Sequence, residues 1–297
     1  MILVTGGSGM VGSDLKNFLP EALYPSSKEL NLICEKSIRK YLLSNKITGI
    51  IHLAAYVGSL HDNIENRVQY FNQNIIMNTL ITKIAHEFKI KKFVGILSTC
   101  IFPDHGMTYP MKECEIHNGA PHIDLYSYAY AKRSHAVQLD AYKIQYGYNY
   151  SYLIPTNMFG YSNHTERLHF INDLVLKIVK AKKDNLSSIE LFGDGSPLRQ
   201  FMFSEDFARF IVEYYFSEID VSMNVGDPKN RSVLDMANIA IKQSKSDLKI
   251  EFNSSKPNGQ IRKDVDMSLM SKHFPSFKFT PFDDGLKKLF NFYEKKI

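Results

Sequence analysis

Two kinds of apolar spacing alternate along the chain. Continuous short runs, Met1-Ile-Leu-Val-Thr5, Gly49-Ile-Ile-His-Leu-Ala-Ala55, Lys91-Lys-Phe-Val-Gly-Ile-Leu97 and Tyr150–Ile154, have the length and composition of strands buried on both faces. Between them apolar residues fall at helical spacing. Asp14–Leu19 predicts a first crossover helix, Asn72–Phe88 a helix that turns Ile75, Ile76, Leu80, Ile81 and Ile84 to the sheet, and the segment from Tyr128 onward another. Leu23-Tyr24 is the expected second strand. Past Gly160 a polar loop spans Tyr161–Arg167. An amphipathic helix is expected over Leu168–Lys182, a strand over Ile189–Phe192 and a turn over Gly193–Pro197, with Leu198–Phe203 following. Ser222–Val225 is a candidate to rejoin the first sheet. The last helix should begin near Asp284 and bury Leu286, Leu289, Phe290 and Tyr293.

The first strand breaks at once into Gly6-Gly-Ser-Gly-Met-Val-Gly12. A strand, a glycine turn and a helix, in that order, bind a dinucleotide. Gly6 makes the tight turn, Gly9 lets backbone approach a pyrophosphate, Gly12 allows close helix packing, and helix-start N–H groups face the anion. An acidic residue after the second strand would hold the ribose 2′-hydroxyl of NAD. Here that place is Ser26-Ser27-Lys28, donors and a cation, which favours NADPH, with Glu29 nearby as the opposing feature. The small residues Ala54 and Ala55 close the next strand and let a cofactor lie against backbone. His52, inside that strand, reads as a core histidine.

These elements define an α/β chain with a Rossmann-type doubly wound parallel sheet and a smaller C-terminal substrate-binding lobe. Residues 1–160 would form the NADP-binding domain, with a returning segment near 200–226, and 161–297 mainly the lobe. The net charge of +5 is spread among acidic neighbours, as in Glu35-Lys36, so a nucleic-acid stripe is not expected. No apolar run is long enough to span a bilayer. Cys34, Cys100 and Cys114 are an odd number without metal-ligand spacing, and the chain reaches glycine by Gly6, which together predict a cytoplasmic protein without a structural metal.

Tyr128 and Lys132, in Leu125-Tyr-Ser-Tyr-Ala-Tyr-Ala-Lys132, would lie one helical turn apart. An ammonium beside a phenol favours phenolate and should lower the tyrosine pKa from about 10. Such a tyrosine can protonate a carbonyl oxygen while a hydride reaches the carbon. Ser98 follows a strand, at the end where ligands bind in open α/β sheets. If the chain stays extended there, Ser98 and Cys100 point the same way.

At this point the chain resembles the extended short-chain dehydrogenase/reductase family. The residues that carry the likeness are Ser98-Thr-Cys-Ile-Phe-Pro-Asp104, Thr108-Tyr-Pro110, Ile116-His-Asn-Gly119, Tyr128-Ala-Tyr-Ala-Lys132, Pro155-Thr-Asn157 and Pro197–Phe201. Within the family it looks most like the branch that acts on GDP-4-keto-6-deoxy-D-mannose, over nearly its whole length. The resemblance implies 3,5-epimerisation and NADPH-dependent 4-reduction of that GDP-sugar to GDP-L-fucose, by a homodimer that packs the Tyr128 helix and its predecessor into a four-helix bundle. It implies that Tyr128 protonates the C4 oxygen, Ser98 hydrogen-bonds it, and Lys132 holds the nicotinamide ribose. It also implies that Cys100 and His169 are the acid/base pair of the epimerisations. Inversion needs a proton removed from one face and returned to the other, and a thiol and an imidazole both exchange protons near neutrality. His164 is a rival for the histidine.

Loop and resemblance together give the expected cofactor contacts: Gly6, Gly7, Ser8, Gly9, Met10, Val11, Gly12, Ser27, Lys28, Asn31, Leu53, Ala54, Ala55, Tyr128, Lys132, Pro155, Asn157, Met158 and His169. Asn157, Lys177, Arg199 and Lys263 are the implied GDP-sugar contacts, and the two last suit phosphate oxygens. Two departures stand out. The segment after Gly160 is short and lacks the family's usual residues, and the family's proline three residues past His169 is Asn172, which predicts a looser helix start. The rival readings are an epimerase-reductase for another GDP-keto sugar, such as a heptose or a dideoxy sugar, a C4-epimerase that keeps its NAD, and an inactive nucleotide-binding scaffold.

Overall fold

The computed structural model describes residues 1–162, 168–256 and 258–296; His164 and most of the departing loop lie outside them. In the first part of the chain β1 (Ile2–Thr5), α1 (Met10–Phe18), α2 (Glu35–Ser44), β2 (Gly49–His52), α3 (Leu60–Glu65), α4 (Arg67–Glu87), β3 (Lys92–Ile96), α5 (Tyr126–Tyr146) and β4 (Asn149–Pro155) follow one another. Then come β5 (Asn157–Phe159), α6 (Phe170–Lys183), β6 (Ser188–Phe192), β7 (Leu198–Phe203), α7 (Ser204–Phe216) and β8 (Met223–Val225). The chain continues through β9 (Asn230–Ser232), α8 (Val233–Gln243), β10 (Lys249–Asn253), α9 (Ser268–His273) and α10 (Phe282–Glu294).

The main sheet is parallel throughout, in the order β1-β2-β3-β4-β8. Alternate strand residues feed two cores, as a period of two requires. Leu3, Ile50, Phe93 and Tyr150 meet α2, α4 and α5; Val4, Ile51, Val94 and Leu153 meet α1, α7 and α9. A third core joins Phe159, Ile171, Leu174, Leu191, Phe203, Leu286 and Tyr293, around the small sheets β5-β7-β9 and β6-β10. Among the described residues, no helix is long and apolar enough to cross a membrane.

Several expectations are corrected. Leu23-Tyr24 is not a strand: Leu23 makes one parallel bridge to Leu3, held by Val4 N–H on Leu23 O at 2.8 Å and Leu23 N–H on Ile2 O at 2.9 Å. The chain leaves at once because Tyr24 turns aside to cover Gly7, where a Cβ would stand 2.8 Å from its ring. The first helix begins at Met10, directly on the glycine turn, rather than at Asp14.

On α4 the inward face is Tyr70, Asn74, Asn78, Ile81 and Ala85, while Ile76 is 42% exposed. Two asparagines take the place of apolar residues because each has partners. Asn74 pairs with both the N–H and the C=O of Tyr56, and Asn78 Oδ1 lies 3.0 Å from His52 Nε2. His52 also meets Thr5 Oγ1 at 2.7 Å and is held neutral by burial, its pKa pushed down to about 3. It is the core histidine its position suggested.

Candidate active site

The glycine turn sits where β1 ends, between its bridge to Leu23 on one side and β2 on the other. This reversal of strand order is where doubly wound sheets open a crevice. Gly6 has φ +75°, and a Cβ there would come within 2.7 Å of Ala54 N; a Cβ on Gly12 would come within 2.3 Å of Gly6 O. Only glycine permits so tight a cradle. Gly9 is the N-cap of α1 without a side-chain cap bond, so the first N–H groups of the helix face the opening.

A cleft of about 620 Å³ runs from this turn along the ends of the strands. Gly6, Ser8, Gly9, Met10, Val11, Gly12, Ser27, Asn31, Leu53, Ala54, Ala55, Ser98, Tyr128, Lys132, Pro155, Asn157, Met158 and His169 line it. Gly7 and Lys28 do not: Gly7 lies under Tyr24, and Lys28 is on the exposed turn beyond. Glu29 is already engaged, accepting from the N–H and the hydroxyl of Ser26 at 2.8 Å each. Thr99, Thr156 and Phe201, inside segments that carry the family likeness but given no role there, also line the cleft, as does Phe207, which no sequence feature marked.

Tyr128 and Lys132 stand one turn apart near the start of α5. Lys132 is 2% exposed, its ammonium 6.0 Å from the centre of the Tyr128 ring and donating to Ile96 O at 2.8 Å. The expected fall in the Tyr128 pKa is reversed. Burial pushes it well above 10, and Cys100 and Tyr70 add to the rise. The same burial pushes Lys132 down to about 8, with Cys100 opposing. Desolvation exceeds the attraction between ammonium and phenolate, so this phenol holds its proton at neutral pH.

Ser98 to Cys100 is not extended either. Thr99–Ile101 forms a 3₁₀ turn, and the Ser98 hydroxyl accepts from Cys100 N–H at 3.4 Å. Arg133, one residue past Lys132, fixes that turn by donating from Nε to Ile101 O at 2.9 Å and from Nη1 to Gly119 O at 2.8 Å. Cys100 is buried, close enough for a charge on its sulfur to perturb Tyr128, Lys132 and Lys263.

His169 is the N-cap of α6 but makes no side-chain cap bond, and its ring faces the cleft, where surrounding protein lowers its pKa. Asn157 Nδ2 donates to Gln200 O at 3.1 Å. Arg199, Lys263 and Lys177 lie outside the dinucleotide cleft. Burial lowers Arg199 to about 10 and also lowers Lys263, with Cys100 opposing and Arg199 reinforcing the latter shift.

Arg199 Nη1 donates to Leu198 O at 2.8 Å, and among the described residues neither cation has a carboxylate ion-pair partner. The Lys263 segment is held by Gln200, whose amide accepts from Val265 N–H at 3.0 Å and donates to Val265 O at 3.2 Å. Lys177 pairs with Asp173 at 3.0 Å and lies 5.5 Å from the Phe192 ring. Phe192 is 57% exposed, with Lys256 5.9 Å away, a flat apolar platform between two cations that sequence reading passed over.

A doubly wound parallel sheet with a glycine turn at its crossover and a Tyr-x-x-x-Lys pair on the facing helix defines a dinucleotide-dependent enzyme fold. The profile of the NAD dependent epimerase/dehydratase family matches residues 2–226, and the chain belongs to that family. It is 36% identical to the GDP-L-fucose synthase of Dictyostelium discoideum, over 97% of this chain and 93% of that protein. It is 32% identical to the GDP-L-colitose synthase of Yersinia pseudotuberculosis, over 91% of each. The solved GDP-L-fucose synthetase of Naegleria fowleri bound to NADP superposes with a TM-score of 0.90 at 29% identity, covering 99% of this chain and 92% of that one.

Proposed function

We propose that this protein is an NADPH-dependent epimerase-reductase that converts GDP-4-keto-6-deoxy-D-mannose to GDP-L-fucose. The observation that carries the reading is the meeting of two kinds of chemistry: Ser98, Tyr128 and Lys132, the set of a carbonyl reductase, line one cleft with His169, and Cys100, buried rather than lining it, lies close enough to perturb Tyr128 and Lys132. The glycine cradle and open helix start fit a dinucleotide, and Ser27 in the cleft, with Glu29 occupied by Ser26, fits a 2′-phosphate. When bound, NADPH supplies the hydride.

The residues divide the remaining work. Protonated Tyr128 donates to the C4 oxygen and Ser98 hydrogen-bonds the same atom. Lys132, anchored on Ile96 O, orients the ribose. Before reduction the C4 ketone acidifies the protons at C3 and C5, and Cys100 and His169 remove and return them from opposite faces. Arg199 and Lys263, desolvated cations with no carboxylate partner among the described residues, receive the diphosphate. Phe192 stacks the guanine, with Lys177 beside it.

Residues 1–160 with the 200–226 return act as the cofactor domain, and the rest mainly as the substrate lobe. Val68, Phe71 and Ile76 on α4 and Tyr126, Val137 and Ile144 on α5 form an exposed apolar face that suits a second copy in a homodimer. The three free cysteines suit the reducing cytoplasm.

Incubation with GDP-4-keto-6-deoxy-D-mannose and NADPH in deuterated water tests the reading. The expected product is GDP-L-fucose carrying deuterium at C3 and C5, with Cys100→Ser and His169→Gln each suppressing the inversions, since every inversion needs a group on each face. Reduction without exchange at both carbons sinks the fucose assignment, and turnover only of another GDP-keto sugar moves the protein toward the colitose or heptose enzymes.

A further inference from the structure

Asn172 lies on the first turn of α6, three residues past His169, and is 1% exposed. Its amide pairs with both backbone groups of one residue: Oδ1 accepts from Gly160 N–H at 3.3 Å, and Nδ2 donates to Gly160 O at 2.6 Å. Nδ2 also donates to the hydroxyl of Tyr293, itself buried on α10, at 3.1 Å. Gly160 directly follows β5, whose Asn157 and Met158 line the cleft, and it packs against the start of α7 with no room for a side chain, since a Cβ there would fall 1.8 Å from Ser204 Oγ. One side chain therefore ties the helix that begins at His169 to the strand that carries Asn157 and to the C-terminal helix.

His169 needs such a tie. Its ring makes no cap bond, and its backbone is held through Asp173 N–H on His169 O at 3.0 Å. Where the imidazole stands is set by where the first turn of α6 stands. Ile171 and Leu174 bury that turn, but apolar contacts are non-directional. The hydrogen bonds of Asn172 supply direction, and proton transfer tolerates misplacement poorly.

We propose that Asn172 is a positioning residue for His169: by clamping the Gly160 peptide and the Tyr293 hydroxyl it sets the reach of the imidazole toward the sugar. The proposal rests on the acid/base reading of His169 given above. The test is deuterium entry at C3 and C5 followed by NMR and divided by the NADPH-binding sites titrated on the same sample. In Asn172→Ala this ratio should fall roughly 10–100-fold, the scale of a misplaced catalytic group.

A merely structural role lowers the folded fraction, and with it NADPH sites and exchange together, so an unchanged ratio overturns the proposal. Should Asn172→Ala not fold, Tyr293→Phe removes one partner and keeps the Gly160 pair. Its ratio should shift the same way by about 2–5-fold, the net worth of one hydrogen bond, and no shift again overturns the proposal. Wild-type protein that exchanges at neither carbon refutes the acid/base reading itself, a result distinct from normal exchange with an unchanged ratio.

Discussion

The two walls of the cleft are built on different plans. The Tyr128 wall stands on long elements, α5 against a five-stranded parallel sheet, and its polar groups are fixed by backbone carbonyls: Lys132 on Ile96 O, Arg133 on Ile101 O. The opposite wall, with His169 at the cleft and Arg199, Lys263 and Phe192 beyond it, is assembled from short strands and connecting segments. Side-chain amides hold it, Asn172 on Gly160 and Gln200 on Val265. On the proposed reading the first wall serves the dinucleotide and the carbonyl and the second the rest of the sugar nucleotide, and a wall joined by a few side chains can be altered without disturbing the sheet.

The largest effect that separates the walls is expected at Tyr128. Tyr128→Phe removes the proton donor and should cut NADPH oxidation about 10²–10⁴-fold, while NADPH affinity stays nearly unchanged and deuterium entry falls less than reduction. Stopped-flow absorbance and NMR on one sample check it. Equal losses of reduction and exchange would mean that the walls do not divide the chemistry.

On the other wall Arg199→Ala should raise the KM for the GDP-sugar by about 10–100-fold, the worth of a charge-assisted bond to phosphate, without weakening NADPH binding. A change confined to kcat would remove Arg199 from the diphosphate. A smaller effect, about 5–10-fold on KM, is expected for Phe192→Ala from lost base stacking. Titration with GDP should show the same loss, and unchanged GDP affinity would leave the exposed ring without this role.

The contrast also explains what could be read from sequence. Strand runs and the glycine turn are local patterns dictated by burial on both faces and by a backbone that must pass close to Ala54, and the structure has them where expected. The lines that failed depend on partners distant in sequence. Leu23-Tyr24 stops at one bridge because Tyr24 covers Gly7. Ile76 faces outward because Asn74 and Asn78 find polar partners inward. Asn172 tightens rather than loosens α6 because its partners, Gly160 and Tyr293, lie on β5's end and on α10. The exposure of Phe192 depends on how the β6-β10 pair is covered, which no local spacing records.

The electrostatics of the free site give the smallest expected effect. The protein crowding the cleft holds the His169 pKa below its ordinary 6.5 although the residue stays open to solvent, so the neutral imidazole that accepts a proton persists as pH falls toward that value and is lost only beneath it. Lys132, lowered to about 8, keeps its charge below that pH and loses it above. Protonated Tyr128, raised well above 10, does not titrate in this range. Values of kcat/KM report ionisations of the free enzyme, so deuterium entry should show an acid limb with its midpoint below about 6.5. NADPH oxidation, as kcat/KM for NADPH, should show an alkaline limb near 8. Between these limits each rate should change by less than about twofold. An acid midpoint at or above 6.5 would mean that the surrounding protein does not tune His169. An NADPH profile flat through 9 would show that the charge of Lys132 is not needed, leaving its hold on Ile96 O as its whole contribution to the Tyr128 wall.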